Sequence, residues 1–408
     1  MTHRSIPWPG HRRAIAPVRV GKALVAVALT AILASCTSTT PATPATPPIA
    51  DAPPTAPLVS AYAGPTATWA VVAMGHLDDP LNTFWQLLAL PLGSATWSLA
   101  TPPGVASNGG LVTAVDPSGT VTAGFEPSLD LRFSPLAQST DGGGSWVPGV
   151  LPGGLDLAPD ALASSGTGRY LALLRNRQDE VVANGGDLAT WTTVVTLSTL
   201  SADRALSRCG IESLTAVTIA ADGSDEVGGS CSTGNEIGIL ASDAGAWKPV
   251  GPSLTGNPVG PTQVLRLVAT PAGTAALVSV GRGGSRRLLA LWSGSGLGNW
   301  SVSAPLPLPR ASIVSTATGP DGSLVVNTAT ASGRLSAWSI GPTTGTTHSA
   351  WQQLATPPAG TSAVVVTPSG QLDAFIVHQS TLDVDTLVSA GWQHTQTLEV
   401  AIQYGSSG

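Results

Sequence analysis

The chain has 408 residues, of which 42% are hydrophobic and only 10% charged, and it holds 47 glycines and 34 prolines. Five of the 18 basic residues precede Cys36 and all 24 acidic residues follow it, so the rest of the chain has a net charge of −11. Because nucleic acid and anionic lipid attract basic surfaces, this charge argues against both as partners, and we predict that the protein binds no nucleic acid.

The first 35 residues have the pattern of a lipoprotein signal peptide. Basic side chains precede a nearly unbroken apolar run from Ala23 to Ala34, which is too short to span a bilayer comfortably. The stretch Leu33-Ala34-Ser35-Cys36 resembles a bacterial lipobox, in which the cysteine after the cleavage point is lipidated. The resemblance implies that a lipid on Cys36 anchors the protein to the outer face of the bacterial cell membrane. An ordinary secretory signal with an incidental cysteine is the alternative.

The segment after the lipobox is dominated by Thr, Pro, Ala and Ser as far as Pro57. Such a segment cannot bury enough apolar surface to fold, and its prolines keep it extended. We therefore predict a lipidated stalk over residues 36–66, a folded domain over residues 67–404 and a short tail over residues 405–408.

Tryptophan recurs through the folded domain at a spacing of about 49 residues, which is typical of a β-propeller with several short strands per repeat. The series is Trp97, Trp146, Trp191, Trp247, Trp300, Trp351 and Trp392. Frequent Gly and Pro with short β-branched runs also favour an all-β protein. We expect each tryptophan to pack between neighbouring blades; a track of aromatic residues for a ligand is the alternative.

Six complete four-stranded units can be read along the chain, and a first unit lacks its innermost strand. The run Thr397–Ile402 near the end of the chain has no partner of its own. We therefore predict a seven-bladed β-propeller of four-stranded blades that is closed by this C-terminal strand. Six or eight blades are the alternatives.

A turn motif supports this fold class. The segment 139–146 reads Ser-Thr-Asp-Gly-Gly-Gly-Ser-Trp and resembles an Asp-box, also called a BNR repeat. Its Asp can accept backbone N–H bonds within the turn, and its glycines allow positive φ. The residues that carry the resemblance are Ser139, Asp141, Gly143 and Trp146, with Asp243, Gly245 and Trp247 in a degenerate second copy.

Asp-box propellers include sialidases and other glycosidases, photosystem assembly factors and sorting receptors. The box itself is a fold element, so the resemblance implies the architecture and transfers no chemistry. A sialidase would need an arginine triad and a tyrosine nucleophile, but the three tyrosines, Tyr62, Tyr170 and Tyr404, lie in poor positions for this role. No paired histidines, nucleophile elbow or phosphate-binding loop appears, and we predict no catalytic residue, metal or cofactor.

Two cysteines remain after Cys36. A tight turn folds the strands that carry Cys209 and Cys231 together, and an exported protein favours oxidation, so we expect a disulfide between them. Free thiols are the alternative.

The connections that follow the second strand of each blade hold much of the charge. Seven arginines form a candidate partner-binding rim on that face: Arg132, Arg175, Arg177, Arg282, Arg286, Arg287 and Arg334. Arginine suits recognition because its planar fork binds carboxylate, phosphate or sugar hydroxyls in fixed geometry. Longer loops that are simply better hydrated are the alternative.

These features predict a monomeric cell-envelope lipoprotein whose propeller is a non-catalytic binding or scaffold module for an envelope protein or a cell-wall glycan. The alternative is a sialidase-like glycoside hydrolase with a non-standard active site. Close-set carboxylates at the mouth of the propeller would favour the enzyme.

Overall fold

The computed structural model describes residues 59–63, 66–75, 83–102, 110–126, 135–150, 159–174, 179–188, 190–233, 235–243, 245–254, 260–271, 273–294, 298–342, 349–378 and 380–400. The predicted signal peptide, Cys36, most of the predicted stalk and the tail lie outside these residues. Among the described residues, no helix is long and apolar enough to cross a membrane.

The described chain is all-β and forms seven four-stranded antiparallel blades, numbered here in chain order. Blades 1 and 2 contain β1 (Val59–Ala63), β2 (Ala67–Gly75), β3 (Thr83–Pro91), β4 (Ser98–Leu99), β5 (Gly110–Val115), β6 (Val121–Glu126), β7 (Pro135–Ser139) and β8 (Val147–Val150). Blades 3 and 4 contain β9 (Pro159–Ser164), β10 (Tyr170–Leu174), β11 (Glu180–Asn184), β12 (Trp191–Thr196), β13 (Ile211–Ile219), β14 (Asp225–Cys231), β15 (Ile239–Asp243) and β16 (Ala246–Pro249), with helix α1 (Leu197–Ala202) between the two blades.

Blade 5 has an outer strand in two pieces, and its strands are β17 (Thr262–Thr270), β18 (Gly273–Val280), β19 (Arg287–Ser293), β20 (Trp300–Val302) and β21 (Leu306–Pro307). Blades 6 and 7 contain β22 (Ala311–Thr318), β23 (Leu324–Thr330), β24 (Leu335–Ile340), β25 (Gln352–Gln353), β26 (Thr361–Val366), β27 (Leu372–Val377), β28 (Thr381–Val388) and β29 (Gly391–Glu399). The predicted propeller fold is confirmed.

The hairpins between the first and second strands of most blades share one turn. In blade 2, for example, Gly119 N–H donates to Asp116 O at 3.0 Å, and Asp116 N–H donates to Thr120 O at 3.0 Å. Gly119 has φ +89°, a left-handed conformation that costs glycine no steric energy. A three-residue loop of this kind matches the right-handed twist of the flanking strands, which explains why the turn recurs with the repeat.

The core lies between the blades. Five clusters of buried apolar side chains fill the spaces between neighbouring sheets around the ring. Each tryptophan of the repeat packs against the cluster that its blade shares with the preceding blade, and the series is Trp97, Trp146, Trp191, Trp247, Trp300, Trp351 and Trp392. The predicted packing role of the tryptophans is therefore confirmed.

The ring closes through a different strand from the one predicted. The innermost strand of blade 1 is β1, which pairs antiparallel with β2, pairs in parallel with β22 of blade 6 and packs against β26 of blade 7. The predicted closing segment begins inside β29, which pairs with β28 along its whole length as the outer strand of blade 7. The prediction divided one nine-residue strand into two and assigned Val59–Ala63 to the stalk.

Blades 7 and 1 also meet at the outer side of the ring, in a contact that we call the seam. Trp97, 3% exposed, donates from Nε1 to Asp373 Oδ2 at 2.8 Å and packs edge-on against Phe375 at 4.9 Å. The side-chain amide of Gln396 forms two hydrogen bonds with the backbone of the same tryptophan. Its Oε1 accepts from Trp97 N–H and its Nε2 donates to Trp97 O, both at 2.8 Å. These bonds satisfy backbone groups where the ladder of blade 1 ends.

The disulfide between Cys209 and Cys231 is present, with 5.3 Å between the two Cα atoms. It joins the chain just before β13 to the end of β14, as the hairpin pairing predicted. Both cysteines are buried in the cluster between blades 3 and 4, so the bond ties a loop to the core.

Candidate functional site

Five arginines gather on one face of blades 5 and 6. Arg282 and Arg286 lie in the connection between β18 and β19, and Arg287 is the first residue of β19. Arg310 precedes β22, and Arg334 lies between β23 and β24. In a propeller these three connections open on the same face, because each follows either the second or the outermost strand of a blade. We call this set the arginine patch.

Hydrogen bonds join the β18–β19 connection to the segment that precedes β22. Leu308 N–H donates to Arg286 O at 2.9 Å, and the Arg286 guanidinium donates to Ala311 O. The connection that carries Arg310 is therefore fastened to the loop of blade 5.

The pairing of β22 with β23 joins the segment that carries Arg310 to the segment that carries Arg334. Ala311 lies opposite Thr330 in the pairing of β22 with β23. Thr330 Oγ1 accepts from Arg334 N–H at 3.1 Å. The segments that carry the five arginines are thus joined to one another on this face.

The patch contains little that would neutralise it. Within the described part of the chain, no carboxylate forms an ion pair with Arg282, Arg287, Arg310 or Arg334. From residue 244 to residue 372 the only acidic residue is Asp321, which lies in the β22–β23 turn on the opposite face. A strongly positive surface therefore lies on a domain whose overall charge is negative.

Members of the patch differ in exposure. Arg282, Arg310 and Arg334 are exposed, whereas Arg286 is half-buried and burial lowers its pKa. Because its guanidinium binds a backbone carbonyl, Arg286 holds the loop while its neighbours face solvent. Arg310 has φ +56°, an uncommon conformation for a residue with a side chain and one that often occurs at functional sites.

Four of the seven arginines of the predicted rim lie in the arginine patch. Arg282, Arg286, Arg287 and Arg334 lie together in the patch, whereas Arg132, Arg175 and Arg177 lie outside the described residues. Arg310 is not part of the predicted rim, because that rim comprises only the connections after the second strands and Arg310 follows an outermost strand. The stretch with a single acidic residue was a signal that could have found this arginine.

Another charged residue of that face has an internal role. Asp179 is buried, and its Oδ2 accepts from Leu214 N–H of blade 4 at 3.0 Å. The carboxylate satisfies a backbone donor where the pairing of β13 with β14 is irregular. Asp179 therefore joins two blades and is not available to a partner.

The Asp and Ser side chains of the first Asp-box-like turn form their hydrogen bonds within the turn. Asp141 Oδ1 accepts from Ser139 Oγ at 2.8 Å and from Ser145 N–H at 2.9 Å, and Ser139 Oγ accepts from Gly143 N–H at 2.8 Å. The side-chain hydrogen bond from Ser145 is the largest cause that lowers the pKa of Asp141 to about 2. Trp146 lies edge-on to Trp69 at 6.5 Å. This geometry is that of a fold element.

The second copy is built differently. The Asp243 carboxylate binds Lys248 Nζ at 2.6 Å instead of turn N–H groups, and Gly245 has φ +86°. Trp247 is half-buried against the cluster between blades 3 and 4. The carboxylate of Asp243 therefore stabilises its turn less than the carboxylate of Asp141 does.

Blade 7 carries a chain of polar contacts on its outer strands. Asp383 accepts from Thr397 Oγ1 at 2.6 Å, which lowers the pKa of Asp383, and it lies 2.9 Å from His378 Nε2. Asp385 lies 3.2 Å from His394 Nδ1. Among the residues that the structure describes, no three His, Cys, Asp or Glu side chains are arranged to hold a metal ion.

Comparison with solved structures supports the fold. The chain is similar to the periplasmic gluconolactonase PpgL of Pseudomonas aeruginosa, at 12% identity and a TM-score of 0.51 over 82% of this chain and 96% of that one. It is equally similar to a protein from Lactobacillus plantarum, at 13% identity and a TM-score of 0.51 over 82% and 97% of the two chains. At such identities the likeness concerns architecture alone.

No protein-family model matches the sequence, and no curated protein matches it. The Asp-box resemblance and the lipobox therefore stay predictions.

Proposed function

We propose that this protein is an exported, lipid-anchored β-propeller that binds an anionic envelope partner through the arginine patch without catalysing a reaction on it. The partner is an envelope protein or a cell-wall glycan that presents carboxylate or phosphate groups. The observation that carries the proposal is the set of five arginines on joined segments of an otherwise acidic domain, which form no ion pair with a carboxylate of the described residues. The anchor is the lipid predicted on Cys36.

Electrostatics support an anionic partner. Guanidinium groups bind carboxylates and phosphates through two parallel hydrogen bonds, and they lose their water at lower cost than ammonium groups do. A surface whose charge opposes that of the rest of the domain also orients a charged partner as it approaches. Because exposed charges are screened over about 8 Å at physiological salt, we expect the affinity to fall as salt rises.

A glycoside hydrolase remains the alternative, and one group gives it some support. Burial raises the pKa of Glu226 to about 7, a value that suits the general acid of a glycosidase. However, Glu226 is only 3% exposed and lies between blades 4 and 5, where a substrate could not reach its carboxyl group. We therefore retain the binding function.

Substitution of the patch should weaken binding of anionic probes. The test variant is Arg282→Gln/Arg334→Gln in the full chain, and the control is Arg204→Gln/Arg208→Gln, which removes two exposed positive charges elsewhere. Binding to immobilised poly-L-glutamate and to polyphosphate is measured by biolayer interferometry at several salt concentrations. The loss of two charge-assisted contacts should raise Kd about tenfold or more in the test variant, with little change in the control.

The relative loss on the two probes indicates whether the site prefers carboxylate or phosphate. A crosslinking pull-down from the native cell envelope with the same variants then tests the physiological partner. Equal binding by the test and control variants, on both probes and in the pull-down, would contradict the proposal.

A further inference from the structure

A cavity of 520 Å³ opens between blades 3 and 4 on the face opposite the arginine patch. Its volume lies within the range of about 300–1,000 Å³ that is typical of small-molecule sites. Turns between the first and second strands and between the third and fourth strands form its walls. The charged, polar and aromatic side chains that line it include Arg169, Asp222, Asp225, Ser242, Asp243 and Trp247.

An ion pair between the two blades lies at one wall of the cavity. Asp225, with a side chain 5% exposed, accepts from both terminal nitrogens of Arg169, with Nη2 2.7 Å from Oδ2. A guanidinium has five N–H donors, so Arg169, 37% exposed, keeps donors for a ligand. The buried carboxylate also fixes the orientation of the guanidinium.

Two further carboxylates supply acceptors. Asp222 Oδ1 accepts from Ser224 N–H at 2.9 Å and from Ser224 Oγ at 2.6 Å, which lowers the pKa of Asp222 and keeps it ionised. Asp243 Oδ2 accepts from Lys248. Within the described structure, the other oxygen of each carboxylate accepts no hydrogen bond, so each can accept one from a ligand.

The charges and spacing restrict the kind of ligand. The three carboxylates line one cavity, but among the described residues no three His, Cys, Asp or Glu side chains are arranged to hold a metal ion. Arg169 pairs with Asp225 and Lys248 pairs with Asp243, which leaves the charge of Asp222 unbalanced. An anionic ligand would be repelled by Asp222.

Trp247 adds an aromatic surface beside these polar groups. Its half-buried indole packs against the cluster between blades 3 and 4 and also lines the cavity. A sugar ring combines an apolar C–H face with hydroxyl groups around its edge, each of which both donates and accepts. We infer that this cavity binds one ring of a neutral sugar, with its C–H face on Trp247, its hydroxyls donating to Asp222 and Asp243, and Arg169 donating to it.

This site goes beyond the proposed function and does not depend on it, because the arginine patch lies on the opposite face. The test uses the full chain and the neutral methyl glycosides of glucose, mannose, galactose and N-acetylglucosamine as probes. Saturation-transfer NMR detects binding, and isothermal titration calorimetry gives Kd for every variant, including the one that lacks Trp247. Glucuronate serves as the anionic comparison.

The chain provides a matched control for the test variant Asp222→Asn. Asp321 begins the same Asp-Gly-Ser turn in blade 6, where its Oδ1 accepts from Ser323 N–H at 3.0 Å, but it does not line the cavity. Asp321→Asn therefore repeats the local change without touching the site. A second test variant, Trp247→Leu, retains an apolar side chain for packing but has no ring.

We expect at least one neutral glycoside to bind the unsubstituted chain, Asp321→Asn and Arg282→Gln/Arg334→Gln alike, and glucuronate to bind more weakly. Asp222→Asn and Trp247→Leu should each raise Kd about tenfold, with the melting temperature of each variant confirming a folded chain. The inference is overturned if no glycoside binds, or if Asp222→Asn binds as tightly as Asp321→Asn does.

Discussion

Replacing Trp97 by alanine should lower the free energy of unfolding by about 3–5 kcal/mol, the usual cost of truncating a buried aromatic side chain. The substitution removes the edge-on contact with Phe375 and leaves the buried carboxylate of Asp373 without its indole donor. Burial already raises the pKa of Asp373, so the loss of this donor makes its ionised form costlier still. Denaturant unfolding monitored by far-UV circular dichroism measures the effect.

Trp191→Ala provides the matched control. Trp191 is the corresponding tryptophan of blade 3, but it is only half-buried and donates to Leu188 O within its own blade. Its loss should therefore cost clearly less. Trp97→Phe keeps an aromatic ring but loses the indole donor and part of the ring volume, and its cost should fall between those of Trp97→Ala and Trp191→Ala. If Trp97→Ala is no more destabilising than Trp191→Ala, the seam does not have the importance that we assign to it.

Glu226→Gln should stabilise the protein relative to the unsubstituted chain as the pH rises. Glu226 is 3% exposed, and burial raises its pKa from 4.5 to about 7. Within the described structure its Oε2 has no hydrogen-bond partner. The Thr274 hydroxyl is near enough to lower the pKa somewhat, but burial is the larger effect. The folded state therefore holds this proton more tightly than the unfolded state does.

The sign of the effect follows from proton linkage. Below pH 4.5 both states hold the proton, and between pH 4.5 and 7 only the folded state does, so stability falls as the pH rises through this window. Above pH 7 the loss is complete, at about 3 kcal/mol for a shift of this size. Glutamine does not titrate and should avoid the loss.

The measurement is the stability difference between Glu226→Gln and the unsubstituted chain, from urea unfolding at pH 4.5 and pH 8. We expect this difference to move in favour of the variant by about 3 kcal/mol. Glu212→Gln, at an exposed position on the adjacent strand β13, should show a constant difference. A constant difference for Glu226→Gln as well would show that Glu226 does not keep its proton in the folded state.

The repeat was predictable from the sequence because every blade packs against its neighbour in the same way. One large aromatic side chain per blade fills the same space between sheets, so the positions from Trp97 to Trp392 report the number of blades directly. The disulfide was predictable for a similar reason, since both cysteines flank one local hairpin.

The closing strand was not predictable by the same means. Val59–Ala63 continues a stretch of small residues, and its partners in β22 lie far along the chain, so neither composition nor local pattern reveals the pairing. The candidate sites were not predictable from local sequence for the same reason. The adjacent acids Asp225 and Glu226 point to opposite faces of β14, and only the fold shows that the first meets Arg169 and the second meets no cation.

The position of β1 has a mechanical consequence. This strand lies at the centre of the ring, held by four residue pairs with β2 on one side and four with β22 on the other. A pull applied to Val59 along the strand axis would load the hydrogen bonds of both ladders together in shear, instead of opening them one after another. Resistance to force is governed by the unfolding rate, which such a geometry slows. If the protein is tethered through its N-terminus, the force therefore acts first on its innermost strand. The outer strands do not carry that force directly.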